Sequence, residues 1–170
     1  SKTKVIFFRT TTKVIKTDSS TSVYESGTYD TSTKRSDLRT GTAENNEYKI
    51  VAKSFDLDAF RKIYKGRGDV VMTSKKENMI IYGQASDAYK DKRITKIYDR
   101  AYAAKITDEG DTLFLRADTL VAIDNKDPKK RRVLAYNNVR IFKKDLQGIA
   151  DSLEYRSADS TIFFYKDPVL

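Results

Sequence analysis

The chain has 170 residues, the length of one domain, with 39% hydrophobic and 34% charged residues and a formal net charge of +9. It holds no Cys and no His, which removes disulfides, thiol chemistry, cysteine–zinc sites and the commonest general base. No run approaches the roughly 18 apolar residues of a membrane-spanning helix, and no basic-apolar-small signal sequence opens the chain. The positive charge reads in two ways. It attracts an acidic partner such as nucleic acid or a phosphorylated lipid surface, or it is a solvated Lys-rich surface that protects edge strands.

Residues 4–24 read as strands: Lys4 to Arg9 is a compact apolar run, and Thr11 to Lys16 is rich in Thr, Val and Ile. From Asp18 to Gly41 the composition shifts to Ser, Thr, Asp, Gly and Arg, with one weak strand at Ser22 to Tyr24. This part reads as a long loop or as short edge strands. Tyr48 to Ala52 restores alternation. Between Asp56 and Lys65, Leu57, Phe60 and Tyr64 stand at helical spacing with Gly66 as a stop, so a short helix competes with strand there. From Gly68 onward the reading is strand throughout, punctuated by turn words such as Asp108 to Asp111, Asp124 to Pro128, Asn137-Asn138 and Ser157 to Ser160. One strand per 8–12 residues predicts roughly 14–20 strands.

Two short boxes alternate along this β-rich text. One is Ala150-Asp151-Ser152-Leu153, echoed at Ala117-Asp118-Thr119-Leu120, Ala85-Ser86-Asp87-Ala88 and, more weakly, Ala52-Lys53-Ser54-Phe55; the alanines are 33, 32 and 33 residues apart. The other is Phe164-Tyr165-Lys166-Asp167-Pro168-Val169, echoed at Ala135-Tyr136-Asn137-Asn138-Val139, Ile97-Tyr98-Asp99-Arg100-Ala101 and Ile63-Tyr64-Lys65-Gly66. A period of this size marks an architecture in which one supersecondary unit stacks on the next.

No catalytic constellation stands out, and no motif calls for a cofactor or a metal. Asp118 and Asp151 recur after Ala. They read as a carboxylate pair or as a turn or bulge that re-aims each strand, and the second reading is preferred. The densest basic run is Lys126 to Arg132. Its Lys129, Lys130, Arg131 and Arg132 are candidate phosphate contacts, set against an exposed hairpin tip kept soluble by charge. Tyr89, Tyr98, Tyr102, Tyr136 and Tyr155 offer faces for base stacking, set against ordinary sheet packing.

At the boxes the sequence resembles the OstA-like, LptA-like proteins of lipopolysaccharide transport. Leu113 to Ala122 carries the resemblance, as does Gly148 to Tyr155 with Ile162 to Val169 after it. The match is good over Gly68 to Leu170, moderate over Tyr48 to Gly66 and poor before that. The family's Gly is missing at Asn137-Asn138 and at Asp167-Pro168, which bears on turn geometry.

The resemblance implies an all-β fold, a periplasmic antiparallel β-jellyroll in which two sheets meet in a V around an apolar groove. It implies a non-enzymatic module of a Gram-negative bacterium that shields lipopolysaccharide acyl chains between the membranes. The implied partners are lipopolysaccharide or a related lipid, and other transport proteins or further copies of the chain through edge-strand pairing; no nucleic acid is expected. Carried over by position, the groove lining is Ile50, Ile81, Leu113, Leu115 and Leu146, with Phe163 and Tyr165 on the last strand. Both ends of the sequence cut into strand text, so residues 1–170 are expected to be one domain from a longer chain, with 1–47 matching the pattern worst. The alternatives are a structural β-repeat segment with a filled core and no cargo, and a basic nucleic-acid-binding β-module.

Overall fold

A computed structural model describes residues 4–16 and 20–170. Residues 17–19, which belong to the strand reading of 4–24 and in part to the loop reading after Asp18, lie outside the described residues. Twelve strands are present: β1 Val5–Phe8, β2 Thr12–Ile15, β3 Thr21–Asp30, β4 Arg35–Glu44, β5 Tyr48–Asp58, β6 Ile63–Ser74, β7 Met79–Tyr89, β8 Ile94–Ile106, β9 Thr112–Ile123, β10 Arg132–Lys143, β11 Leu146–Arg156 and β12 Thr161–Tyr165. From β3 to β12 they form an antiparallel meander in a single hydrogen-bonded sheet, with β1 and β2 both paired to β3.

The sheet is creased across its middle. Each strand from β5 to β11 shifts register with at least one neighbour near its centre, as at Val51/Ser54, Arg67/Val70, Tyr82/Ala85, Tyr98/Ala101 and Tyr136/Val139. On the even strands the cause is a pair of residues with left-handed backbone. These are Gly68 and Asp69 in β6, Asp99 and Arg100 in β8, and Asn137 and Asn138 in β10. Such a pair bends a strand and turns its second half in a new direction. Asn137-Asn138 is therefore a bend inside β10 and not a hairpin turn. Pairs of expected short strands fuse into long creased ones, and the expected 14–20 strands become twelve.

Small residues lie along the crease because the two halves fold toward each other there. Ala52, Ala85, Ala101 and Ala117 are buried beside the register shifts, and Ala150 pairs with Val139 at the next one. Gly41 lies under the Tyr24 ring: a Cβ there would stand 2.2 Å from Tyr24 Cδ1. Together with β1 and β2, the creased strands form two arms. Arm one holds β2, the first halves of the odd strands and the second halves of the even ones; arm two holds β1, β12 and the remaining halves. The V is thus one folded sheet and not two separate ones.

The inner faces of the arms meet most fully toward β7–β12. Ile81, Leu115 and Ile141 of arm one pack in a single buried cluster with Ile97, Leu120, Leu153 and Tyr155 of arm two. Each fully buried Leu or Ile there contributes about 1.5–3 kcal/mol. A smaller cluster of Tyr24, Leu38, Ala52, Phe55 and Val70 fills the crease at the β3–β6 end.

Two further expectations change. Residues 20–41, expected as a loop or short edge strands, form most of the ten-residue strands β3 and β4, because their pairing with each other, and of β4 with β5, outweighs weak local propensity. The helical reading of Asp56 to Lys65 gives way to the β5–β6 hairpin. Leu57 pairs with Tyr64 across it, and Phe60 is 84% exposed at the tip. A four-to-seven-residue spacing serves a hairpin pair as well as a helix face.

Candidate functional site

Between the arms, at the β2–β7 end, lies a cavity of about 340 Å³, within the size range of small-ligand sites. Arm one contributes Ala43, Tyr48, Ile50 and Met72; arm two contributes Phe55, Leu57, Tyr64 and Ala88, with Tyr24 at the crease. Strand alternation puts these side chains inward: Ala43, Ile50 and Met72 form one cross-strand row, and Leu57, Tyr64 and Ala88 form another on the opposite arm. Tyr24 and Phe55 meet edge to face at 5.7 Å. Burial pushes the Tyr24 phenol up from its ordinary value. Burial, with the charge of Asp124 beside it, pushes Tyr48 up to about 12. Both phenols are therefore held neutral at ordinary pH.

The rim is charged. Glu44 pairs with Lys75, Glu47 with Lys76 and Arg131, and Asp124 with Arg93 and Arg131. At the far end of the mouth, Lys16 and Lys90 hold their ammonium groups 5.5 Å and 5.8 Å from the centroid of the Tyr64 ring.

Toward β8–β12 the mouth is shut by a clasp. Arg131, 7% exposed, comes from the β9–β10 loop of arm two. It donates to Glu77 at 3.0 Å and Glu47 at 3.3 Å, both at hairpin tips of arm one, and its Nε lies 3.1 Å from Asp124. Beside it, Lys105 of arm one donates to the Tyr155 hydroxyl of arm two at 2.9 Å. Five charges and a hydroxyl meet where water would otherwise enter; the Arg131 Nε–H donates to the Asn125 carbonyl at 3.2 Å, so Asp124 Oδ1 is held there by charge alone.

Of the groove residues expected from sequence, Ile50 lines the cavity while packing against both buried clusters. Ile81, Leu113, Leu115 and Leu146 share its inner face but belong to, or pack against, the closed cluster. Phe163 and Tyr165 need correction. Phe163 pairs with Glu154 and Tyr165 with Ser152, so both face outward, whereas Ile162 and Phe164 pair with Tyr155 and Leu153 and face inward. On the outside, the Arg156 guanidinium covers the Phe163 ring at 4.2 Å and the Tyr165 hydroxyl donates to Glu154 at 3.1 Å. Hydrogen bonding from Arg156 holds the Glu154 carboxyl below its usual range.

The basic run is also corrected in part. Arg131 is consumed by the clasp and is not a spare phosphate contact; Arg132 is half exposed and pairs with Glu154 at 3.3 Å, and Lys129 and Lys130 are exposed on the loop. Asp118 and Asp151 sit on β9 and β11, separated by β10. Asp118 accepts from Asn138 at 2.8 Å, and Asp151 from the Ser152 hydroxyl at 3.0 Å. The tyrosines do not share a face: Tyr155 is buried inward, while Tyr102 stacks on Tyr82 at 4.4 Å on the outside. Among the described residues no group of three or more carboxylates is placed to hold a metal ion.

Sequence reasoning missed Tyr24, Phe55, Leu57, Tyr64 and Met72. The signal was present for one of them: Tyr48, Ile50 and Ala52 alternate, and their parity crosses the hairpin to Met72, whereas Phe55 and Leu57 fall on the other parity because the register shifts between Val51 and Ser54.

No family model and no curated protein matches the sequence. Among solved structures, the chain is similar to LptH from Pseudomonas aeruginosa, described as the LptA-homologous periplasmic component of the lipopolysaccharide transport device. The identity is 15%, the TM-score 0.60, and the match covers 71% of this chain and 82% of that one. The likeness is one of fold, that of the LptA-like β-jellyroll.

Proposed function

We propose that this chain is an OstA-like, LptA-like module that binds lipopolysaccharide or a related lipid in the periplasm and shields its acyl chains during export to the outer membrane. The observation that carries the reading is the apolar cavity between the arms of a creased β-sheet, on a fold shared with a periplasmic transport component. The outer edges of β1, β2 and β12 have no strand partner among the described residues. They offer backbone groups to another copy or another transport protein by strand addition. The module works by binding rather than catalysis, and residues 1–170 act as one unit.

A filled structural β-segment without cargo is the second reading, favoured by the close packing of the arms across β7–β12. Lipopolysaccharide binding combined with thermal melting separates the two. Ile50→Asp keeps its carboxylate hydrated in the cavity, so the protein should stay folded, within about 1 kcal/mol, and lose binding. Leu115→Asp buries a carboxylate in the closed cluster and should unfold the chain by several kcal/mol. Wild-type protein that binds no lipopolysaccharide would favour the filled segment. Undiminished binding by folded Ile50→Asp would remove the cavity from the mechanism.

A further inference from the structure

We propose that the cavity is built for one acyl chain of an anionic, single-tailed amphiphile, with the anion seated between Lys16 and Lys90. The inference deepens the lipid reading above and rests on it only in taking the cavity as a lipid site.

Volume sets the tail. A cavity of roughly 150 Å³ accommodates the six carbons of benzene. On that scale the 340 Å³ between the arms holds about a dozen carbons, one chain and not a bundle. The clasp sets its length, since Arg131 closes the mouth beyond Met72 and the closed cluster begins behind it. The walls are apolar, with Ile50, Phe55, Leu57 and Met72 facing one another across the gap.

Charge sets the head. Every rim carboxylate among the described residues is already held by a cation: Glu44 by Lys75, Glu47 by Lys76 and Arg131, and Asp124 by Arg131 and Arg93. Lys16 and Lys90 form no ion pair with a described residue, yet both ammonium groups lie against the same Tyr64 ring. Lys16 reaches it from the end of β2 on arm one, and Lys90 from beside β7 on arm two. Two like charges flanking one ring at the mouth repel each other until an anion lies near both. A carboxylate or phosphate there would accept charge-assisted hydrogen bonds from both sides while its tail stays out of water. A fatty acid and a lysophospholipid share this chemistry.

The test is calorimetric titration of the whole chain with dodecanoate, dodecanol, lauroyl lysophosphatidylglycerol and lipopolysaccharide. Dodecanoate or the lysophospholipid should bind with one molecule per chain, and the tighter of the two identifies the source of the anion. The Lys16→Gln/Lys90→Gln double variant changes only exposed side chains, and a matching melting curve checks its fold. It should bind these anions about tenfold more weakly and dodecanol as before. Equal loss for dodecanol, or no loss for the anions, would overturn the seat. Several chains bound per protein would overturn the single-chain capacity. Lipopolysaccharide binding without binding of either single-tailed anion would defeat this proposal and leave the transport reading standing. No binding of any of the four would defeat both.

Discussion

Tyr48 shows how a single side chain reports on the site. Its phenol lines the cavity beside Asp124, and burial and that charge both favour the neutral form. The folded pKa of about 12 lies above the ordinary value of 10.0, so the stabilisation is fully present below pH 10 and is lost as pH rises toward 12. Tyr48→Phe has no proton to lose. In urea melts, the stability of wild type relative to Tyr48→Phe should fall on going from neutral pH through this window. The fall should be on the order of 1 kcal/mol, since the group is partly hydrated. A constant difference across the window would place the phenol in water.

At the scale of one strand, the left-handed pairs decide whether the sheet creases. Asn137 and Asn138 hold φ of 61° and 52° in the middle of β10. Asn tolerates this region and Gly prefers it, whereas a β-branched residue is strained there. Asn137 is exposed. Asn137→Val should therefore cost about 1–2 kcal/mol in denaturant unfolding, while Asn137→Gly should be neutral within about 0.5 kcal/mol. Equal costs would mean that the bend comes from packing and not from backbone preference. The missing family glycine is thus no obstacle to the fold: two Asn residues perform the same turn of the chain. In the sequence these polar pairs were legible as breaks in alternation, but a break inside a strand and a turn between strands use the same residues. Only the unbroken pairing of β10 with β9 and β11 on both sides of the break tells them apart.

At the scale of the molecule, the clasp divides the V into a closed part and an open one. Arg131 joins a loop of arm two to two hairpin tips of arm one, bringing together residues far apart in the chain. Replacing it with Met leaves Glu47, Glu77 and Asp124 close together without their shared cation. Removing one partner from a buried network of this kind costs about 3 kcal/mol or more. Arg131→Met should lower thermal stability by that order. It should also speed amide exchange in the β4–β5, β6–β7 and β9–β10 connections before the rest of the sheet opens. Arg131→Lys should rescue little, because an ammonium lacks the planar fork that serves three carboxylates at once. Unchanged exchange in those three connections would show that the arms are held by the apolar cluster alone.

The order of residues along this chain was sufficient for the all-β class, which comes from the two-residue period of a strand and the need to bury one face, and for the regular recurrence of Ala, which comes from the repeat spacing. Parity failed at Phe163 and Tyr165 because Ile162, Phe163, Phe164 and Tyr165 are all apolar or aromatic. Pairing with Leu153 and Tyr155 then chose the inner set. Tertiary structure alone decided which stretch of the inner face stays open. That depends on how far apart the arms stand, and a buried arginine recruited by carboxylates from distant hairpins sets this distance where the mouth closes. Local sequence could show Arg131 only as one more charge in a basic run, because what defines its role is the set of acids that the fold brings to it.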